Sequence, residues 1–215
     1  MERPGRTGNA TQGRGTGQVA THGLMLRAVQ CFMRDTYGPR AWASVIARSR
    51  QGVSDFEAML NYDDALADAL LTAISAELGK PLAVILEDIG TYLVSDPNVE
   101  ALRRLLRFAG ISYEDFLLSL EDLPGRARLA VSDLILPRLD LRAVADGCYV
   151  LRVSGGPAGF GHVMVGILRA MADDYGALVM LDHHGTRKRA EEIGITMVEA
   201  AYASGRVFDL GAAVE

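Results

Sequence analysis

The feature that most constrains this chain is a change of hydrophobic period close to Pro137. Before it, apolar residues recur every three or four positions, the spacing that gathers them on one side of an α-helix. Beyond it they alternate or fall in short β-branched runs, as strands require. Helices first and strands later predict an α+β fold. The expected architecture is an N-terminal helical subdomain, then an antiparallel sheet with a helix packed on it. At 215 residues the chain is long enough to bury its own core without a disulfide or metal staple.

Glycine and proline mark where the helices break. Met25, Val29, Phe32 and Met33 share one face of a helix that Gly38 closes, and Pro39 suits the first turn of the next, around Trp42, Val45 and Ile46. Leu66, Leu70, Leu71, Ile74 and Leu78 form a stripe ending at Gly79. Pro81 then opens a helix carrying Val84, Ile85, Ile89 and Leu93, and Leu102, Leu105, Leu106 and Phe108 continue to Gly110. Ser112 with Asp115 makes a capping box for a helix through Phe116, Leu117, Leu120 and Leu123, which Pro124-Gly125 is expected to end or kink. Strand-like runs stand at 138–143, 148–153, 177–182, 194–201 and 207–210. A helical stripe of Val163, Met164, Ile167, Leu168 and Met171 interrupts them.

Residues 1–21 hold five glycines and no apolar period, and Arg3, Arg6 and Arg14 against Glu2 give them a charge of +2. They predict a disordered tail ahead of one domain at 22–215. The net charge of -5 and the lack of a basic stripe interleaved with aromatics argue against nucleic acid as a partner. No apolar run approaches the length of a membrane span and no signal peptide is apparent, so a cytoplasmic protein without membrane association is expected. The two cysteines, Cys31 and Cys148, are too few for a disulfide framework or zinc site, and each is expected to be a small buried hydrophobe.

Several segments invite a chemical role. The run from Ser154 to His162 is rich in glycine and lies between a strand and a helix, where backbone N–H groups could cradle a phosphate. Neither the P-loop nor the dinucleotide spacing is met, which favours a plain connecting loop. Asp182, His183 and His184 could suggest a metal cluster, but adjacent strand residues point to opposite faces, and a solvated strand end before Gly185 is the simpler expectation. His162, in the first turn of an apolar helix, is expected to be partly buried and hydrogen-bonded to the glycine loop. The acid pairs Glu121-Asp122 and Asp173-Asp174 fall on ordinary polar faces. No nucleophile elbow or acid–base couple appears, so no catalytic or metal-ligating residue is assigned.

The order of several segments carries more information than any one of them. His22-Gly23-Leu24 leads into an amphipathic helix, followed by Asp35-Thr36-Tyr37-Gly38 and Trp42. Then come Tyr62-Asp63-Asp64, Leu78-Gly79-Lys80-Pro81, and Leu86 to Val94. Phe116 to Leu123, Leu136-Pro137-Arg138-Leu139, and Gly166 to Arg169 with Ala172 and Tyr175 complete the series. Over about residues 22 to 210 this order resembles the heme nitric-oxide/oxygen binding (H-NOX) family. The resemblance implies a heme-based gas sensor, not an enzyme, that signals to a separate partner such as a histidine kinase or a diguanylate cyclase. It also implies an apolar pocket lined by Met25, Val29, Pro137, Val163 and Ile167.

The chain departs from the family at the positions that matter for heme. Pro124 stands where the family has the histidine that binds iron, and proline offers no nitrogen to donate. The Tyr-x-Ser-x-Arg motif that grips the propionates aligns with Ser154, Gly156 and Ala158, so its arginine is missing. Heme held in the family's manner is therefore not expected, although His162, Cys31 or a methionine is open as a substitute ligand. Alternatives are a heme-free binder of a small apolar molecule in a retained pocket, and a protein-interaction module whose pocket is filled by core packing. A less favoured third is an enzyme using the glycine loop and His162.

Overall fold

The computed structural model describes residues 20–108 and 110–206. Most of the expected tail and the expected strand at 207–210 lie outside these residues. The tail boundary needs correction. Ala20–His22 form a strand, β1, paired antiparallel with β2 (Asn61–Asp63), and the Thr21 hydroxyl donates to Asp64 at 2.6 Å. Three residues are too few to carry a period, so no pattern announced this strand.

α1 (Gly23–Ser49) begins where the His22 ring accepts the Leu24 N–H through Nδ1, and it bends at Gly38, whose φ of 86° no helix interior allows. The expected two helices are the two arms of this bend, with Pro39 opening the second. α2 (Asp64–Leu78) is capped by Asp63 and closed by Gly79 in the left-handed region, and α3 (Leu82–Ser95) starts after Pro81. A short turn at Pro97–Val99 then leads into α4 (Glu100–Arg107). Two residues assigned to the apolar stripes, Val84 and Phe108, are exposed instead.

The capping box forms as expected at the start of α5 (Tyr113–Leu118), with Ser112 and Asp115 bonded in both directions. The next segment departs from expectation. The helix tightens at Leu120–Asp122, and Pro124 sits in the first turn of a new helix, α6 (Leu123–Ala130). A first-turn proline lacks only an N–H that would have no partner anyway, so Pro124 begins a helix here rather than ending one.

The second half is a four-stranded sheet in the order β3 (Arg138–Ala145), β4 (Cys148–Ser154), β6 (Ala190–Glu199), β5 (Leu178–Arg187), antiparallel throughout. β5 and β6 are joined by Lys188 and Arg189, both at positive φ, the backbone of a tight two-residue hairpin. Between β4 and β5 runs α7 (Phe160–Tyr175), which packs on β5 and β6 and lies along α3. Alternation in β4 turns Tyr149, Leu151 and Val153 inward, where they join Ile193 and Ile195 of β6 in a core that continues into α1, α2 and α3.

The two halves meet most closely where α3 crosses α7. A Cβ added at Gly90 would lie 2.1 Å from the Val163 carbonyl oxygen, and one at Gly166 would lie 2.0 Å from that of Glu87. Only glycine permits this backbone approach. Near the far end of α7, Asp174 is almost wholly buried, its carboxylate 2.7 Å from Arg103 and 3.4 Å from Arg107. This corrects the expectation of a polar face for Asp173-Asp174: only Asp173 is exposed, because neighbours on a helix diverge by about 100°.

Candidate functional site

The polar residues gather at the start of α7. The glycine loop leaves β4 through Gly155 and enters α7 through Gly159, both at positive φ. His162 does not bond to this loop through its ring, as the sequence suggested. Its Nδ1 lies 3.2 Å from Glu87 of α3, and its ring stacks on His183 with centroids 3.9 Å apart and planes 20° from parallel. Glu87 is also bonded by Arg169, about two turns further along α7, at 2.9 Å.

His183 is likewise not part of a solvated strand end. β5 runs on to Arg187, and alternation turns His183 inward and His184 outward, where the latter covers Gly194. The expected divergence of the two rings therefore occurs, but the inward one finds a partner 21 residues away in sequence. His183 Nε2 lies 2.9 Å from Glu191, and its Nδ1 accepts the Gly185 N–H at 3.2 Å. Gly161 makes room for this pair, since a Cβ there would meet both Glu191 and His183 within 2.7 Å.

Glu191 decides what the glycine loop can do. Its other oxygen accepts the Gly159 N–H at 3.0 Å, so a carboxylate of the chain itself occupies the anion position at the α7 N-terminus. The N–H groups of Phe160 and His162 are taken by the carbonyls of Pro157 and Gly159. A phosphate would meet a resident negative charge there. A space of about 150 Å³ beside the loop is bordered by Ser154, Thr186, Arg189 and Glu191. Among the described residues no three of His, Cys, Asp and Glu are placed to share a metal ion.

The apolar positions singled out in the sequence are distributed over α1, α7 and the segment ahead of β3. Val163 and Ile167 are buried on α7, Val29 is half-buried against the core, and Met25 is half-buried on the first turn of α1. α1 and α7 share α3 as a neighbour. Pro137 is buried ahead of β3 and rests on the glycine loop, filling the space a Cβ on Gly156 would need. Cys31 and Cys148 are free and half-buried, and burial raises the Cys31 thiol above its usual range. Pro124 is half-buried at the start of α6. Outside these positions, a cleft of about 530 Å³ lies at the α1 bend, bordered by Arg34, Trp42, Ile46 and Asp55.

Sequence reasoning missed Glu87, Arg169 and Glu191. Glu87 and His162 are 75 residues apart, and Glu191 reaches the loop from 32 residues away, so no local spacing could have linked them. The small residues at Gly161 and Gly166 within an apolar helix were the available hint of close approach.

Comparison with known proteins is consistent in direction. The profile of the Haem-NO-binding family matches residues 22–183. The curated Drosophila melanogaster protein Soluble guanylate cyclase 89Db is 21% identical over 159 residues, covering 74% of this chain and 24% of that protein. The chain thus spans about a quarter of that relative's length. Among solved structures, the unliganded Fe(II) H-NOX protein from K. algicida superposes with a TM-score of 0.72 at 14% identity, covering 86% of this chain and 100% of that one. The S. oneidensis H-NOX protein in the Fe(II)NO state gives 0.69 at 13%, covering 82% and 99%.

Proposed function

The chain belongs to the Haem-NO-binding family, and from this premise we propose that it is a sensory domain with a degenerate heme site that regulates a separate signalling protein. Domains of this family sense and signal rather than catalyse. The cyclase activity in the name of the fly protein is not carried over, because the match covers only 24% of that protein.

The observation that carries the degenerate site is the pair Pro124 and Glu191. Heme needs an axial donor and cationic contacts for its propionates. Pro124 has no donor atom. The loop from Ser154 to Gly159 contains no arginine or tyrosine in any register, and of the two charged residues that border the space beside it, Arg189 and Glu191, it is the Glu191 carboxylate that bonds the loop. An anionic propionate would find the Gly159 N–H already taken by that carboxylate. The residues present therefore do not fit heme held in the family's manner.

Three of the four histidines already use their nitrogens or face away, and only His162 keeps a nitrogen for a substitute bond. His22 caps α1 through Nδ1 and turns Nε2 towards Asp133 at 3.4 Å, His183 uses both nitrogens, and His184 lies on the outer face of the sheet. His162 retains Nε2 alone, with its ring face covered by His183. The buried placement of Val163, Ile167 and Pro137 is what either a small apolar ligand or a filled core would require. Among the described residues no single helix is long and apolar enough to cross a membrane. We place the domain in the cytoplasm, with a histidine kinase or diguanylate cyclase as the partner class.

The test is the absorption spectrum of the full chain with one equivalent of hemin, beside the Pro124→His and His162→Ala variants. A wild-type protein without a sharp Soret band is the expected result. A stoichiometric band that His162→Ala abolishes would instead establish a re-sited heme and overturn the degenerate site.

A further inference from the structure

We propose that the outer face of the four-stranded sheet docks a second copy of this chain, stacked face to face about a two-fold axis that runs along the strands between β4 and β6. The surface lies on the side of the sheet away from α7 and stands whether or not the domain takes a ligand.

Alternation defines this face. Tyr149, Leu151, Val153, Ile193 and Ile195 are buried inward, so Cys148, Val150, Arg152, Glu192, Gly194 and Thr196 between them point outward. Cross-strand pairing places Arg142 of β3 and Met180 and Asp182 of β5 on the same side. A sheet face left to water is normally polar. Here Met180 and Val198 stand on it 59% and 54% exposed, with Val150 half-buried between the strands.

The register specifies the occupant. Arg142, Val150, Gly194 and Asp182 form one row across the sheet, with the cation on one edge strand and the anion on the other. Three strand spacings, about 14 Å, separate the two charges, too far for them to pair within one chain. A two-fold along the strands lays β3 over β5 of the second copy, so each Arg142 meets Asp182 of the other copy, and the contact occurs twice. Stacked sheets lie about 10 Å apart, a gap that an arginine and an aspartate reaching from opposite sides can close.

Neighbouring rows agree with this arrangement. Arg152, paired with Glu192 in its own chain, also comes opposite Glu192 of the copy, and Thr196 and Met180 come opposite Cys148 and Ala145. One contact is adverse: Arg187 of the copy lies over Arg138, whose charge Asp140 of the same strand already meets at 2.8 Å. A two-fold across the strands would instead set Arg142 on Arg142 and Asp182 on Asp182, so the charges select the axis. Strand addition at β3 is opposed by Glu121, which takes the outward Leu141 N–H at 3.0 Å. Four strands over the seven residues of β4 give about 450 Å² of flat area per copy, the size of a weak and reversible interface.

Sedimentation velocity of the full chain from micromolar to millimolar concentration tests the stack, with a thiol reductant present so that Cys148 cannot cross-link. The wild type is expected to pass from monomer to dimer as concentration rises. Arg142→Asp and Asp182→Arg each oppose like charges at both contacts and should weaken dimerisation about tenfold or more. An equimolar mixture of the two variants restores both contacts and should dimerise as the wild type does. Both positions are exposed, so melting near the wild-type temperature verifies the fold, and Arg142→Glu with Asp182→Lys provides the same comparison if either variant does not fold. A wild type that stays monomeric throughout, a dimer that charge reversal leaves intact, or a mixture that does not associate would overturn the docking surface.

Discussion

At the scale of single residues, the same amino acid has opposite meanings in this chain according to what its missing side chain would meet. Gly125 lies within α6 with open space around it, whereas Gly166 faces the Glu87 carbonyl across the α3–α7 crossing. Gly125→Ala should therefore raise stability by about 0.5–1 kcal/mol by relieving the helix of its most flexible residue. Gly166→Ala should lower it by about 3 kcal/mol through forced separation of the helices. Urea unfolding of both variants checks the contrast, and equal effects would contradict the close crossing. Asp174 is a second residue whose role only the fold reveals. Replacing it with alanine removes the carboxylate that Arg103 and Arg107 share at exposures of 14% and 12%, a loss of about 3 kcal/mol. In the sequence Asp173 and Asp174 look alike, and nothing local says that one of them meets two arginines 71 and 67 positions earlier.

At the scale of elements, punctuation was legible and short structure was not. Gly38, Gly79, Ser112 and Pro81 mark helix ends because each acts on the backbone within a few residues of itself. Pro124 misled because the same chemistry that stops one helix suits the first turn of another, and the choice depends on whether Leu123 and Ala127 have a core to face. The capping box at α5 gives an acid-sensitive element. Hydrogen bonds from the Ser112 hydroxyl and from the backbone of Ser112 and Ile111 hold the Asp115 carboxyl below its usual range. A depressed carboxyl stabilises the fold above the unfolded-state value, and that contribution is lost as pH falls through the depressed one. Ser112→Ala should remove about 1 kcal/mol near neutral pH. The gap from the wild-type melting temperature should narrow in strong acid, when Asp115 is protonated in both, while the part due to the lost acceptor for the Asp115 N–H remains. Parallel melting curves at every pH would show that the box does not depend on the carboxylate.

At the scale of the whole molecule, the order of helices then strands already separates the chain into two halves near Pro137, and it invites the inference that they fold separately. The packing argues otherwise. Leu26, Ile85 and Ile89 from the first half belong to one continuous core with Met164, Leu168 and Ile193 from the second. The interface between the halves is the α3–α7 crossing, where backbones touch and no water can enter between Gly90 and Gly166. This contact was illegible in the sequence because it depends on two glycines 76 positions apart, each unremarkable within its own helix. The polar joint of Glu87, His162, His183 and Glu191 lies along the same seam, so the seam holds both the apolar and the charged contacts that unite the molecule. Thermal unfolding should accordingly be one transition, with calorimetric and van't Hoff enthalpies equal. A fragment ending at residue 136 would leave the α7-facing side of α3 bare and should show no cooperative melting. Two resolved transitions, or a fragment that melts cooperatively, would mean that the helical half is a domain in its own right and that the seam is an interface rather than a core.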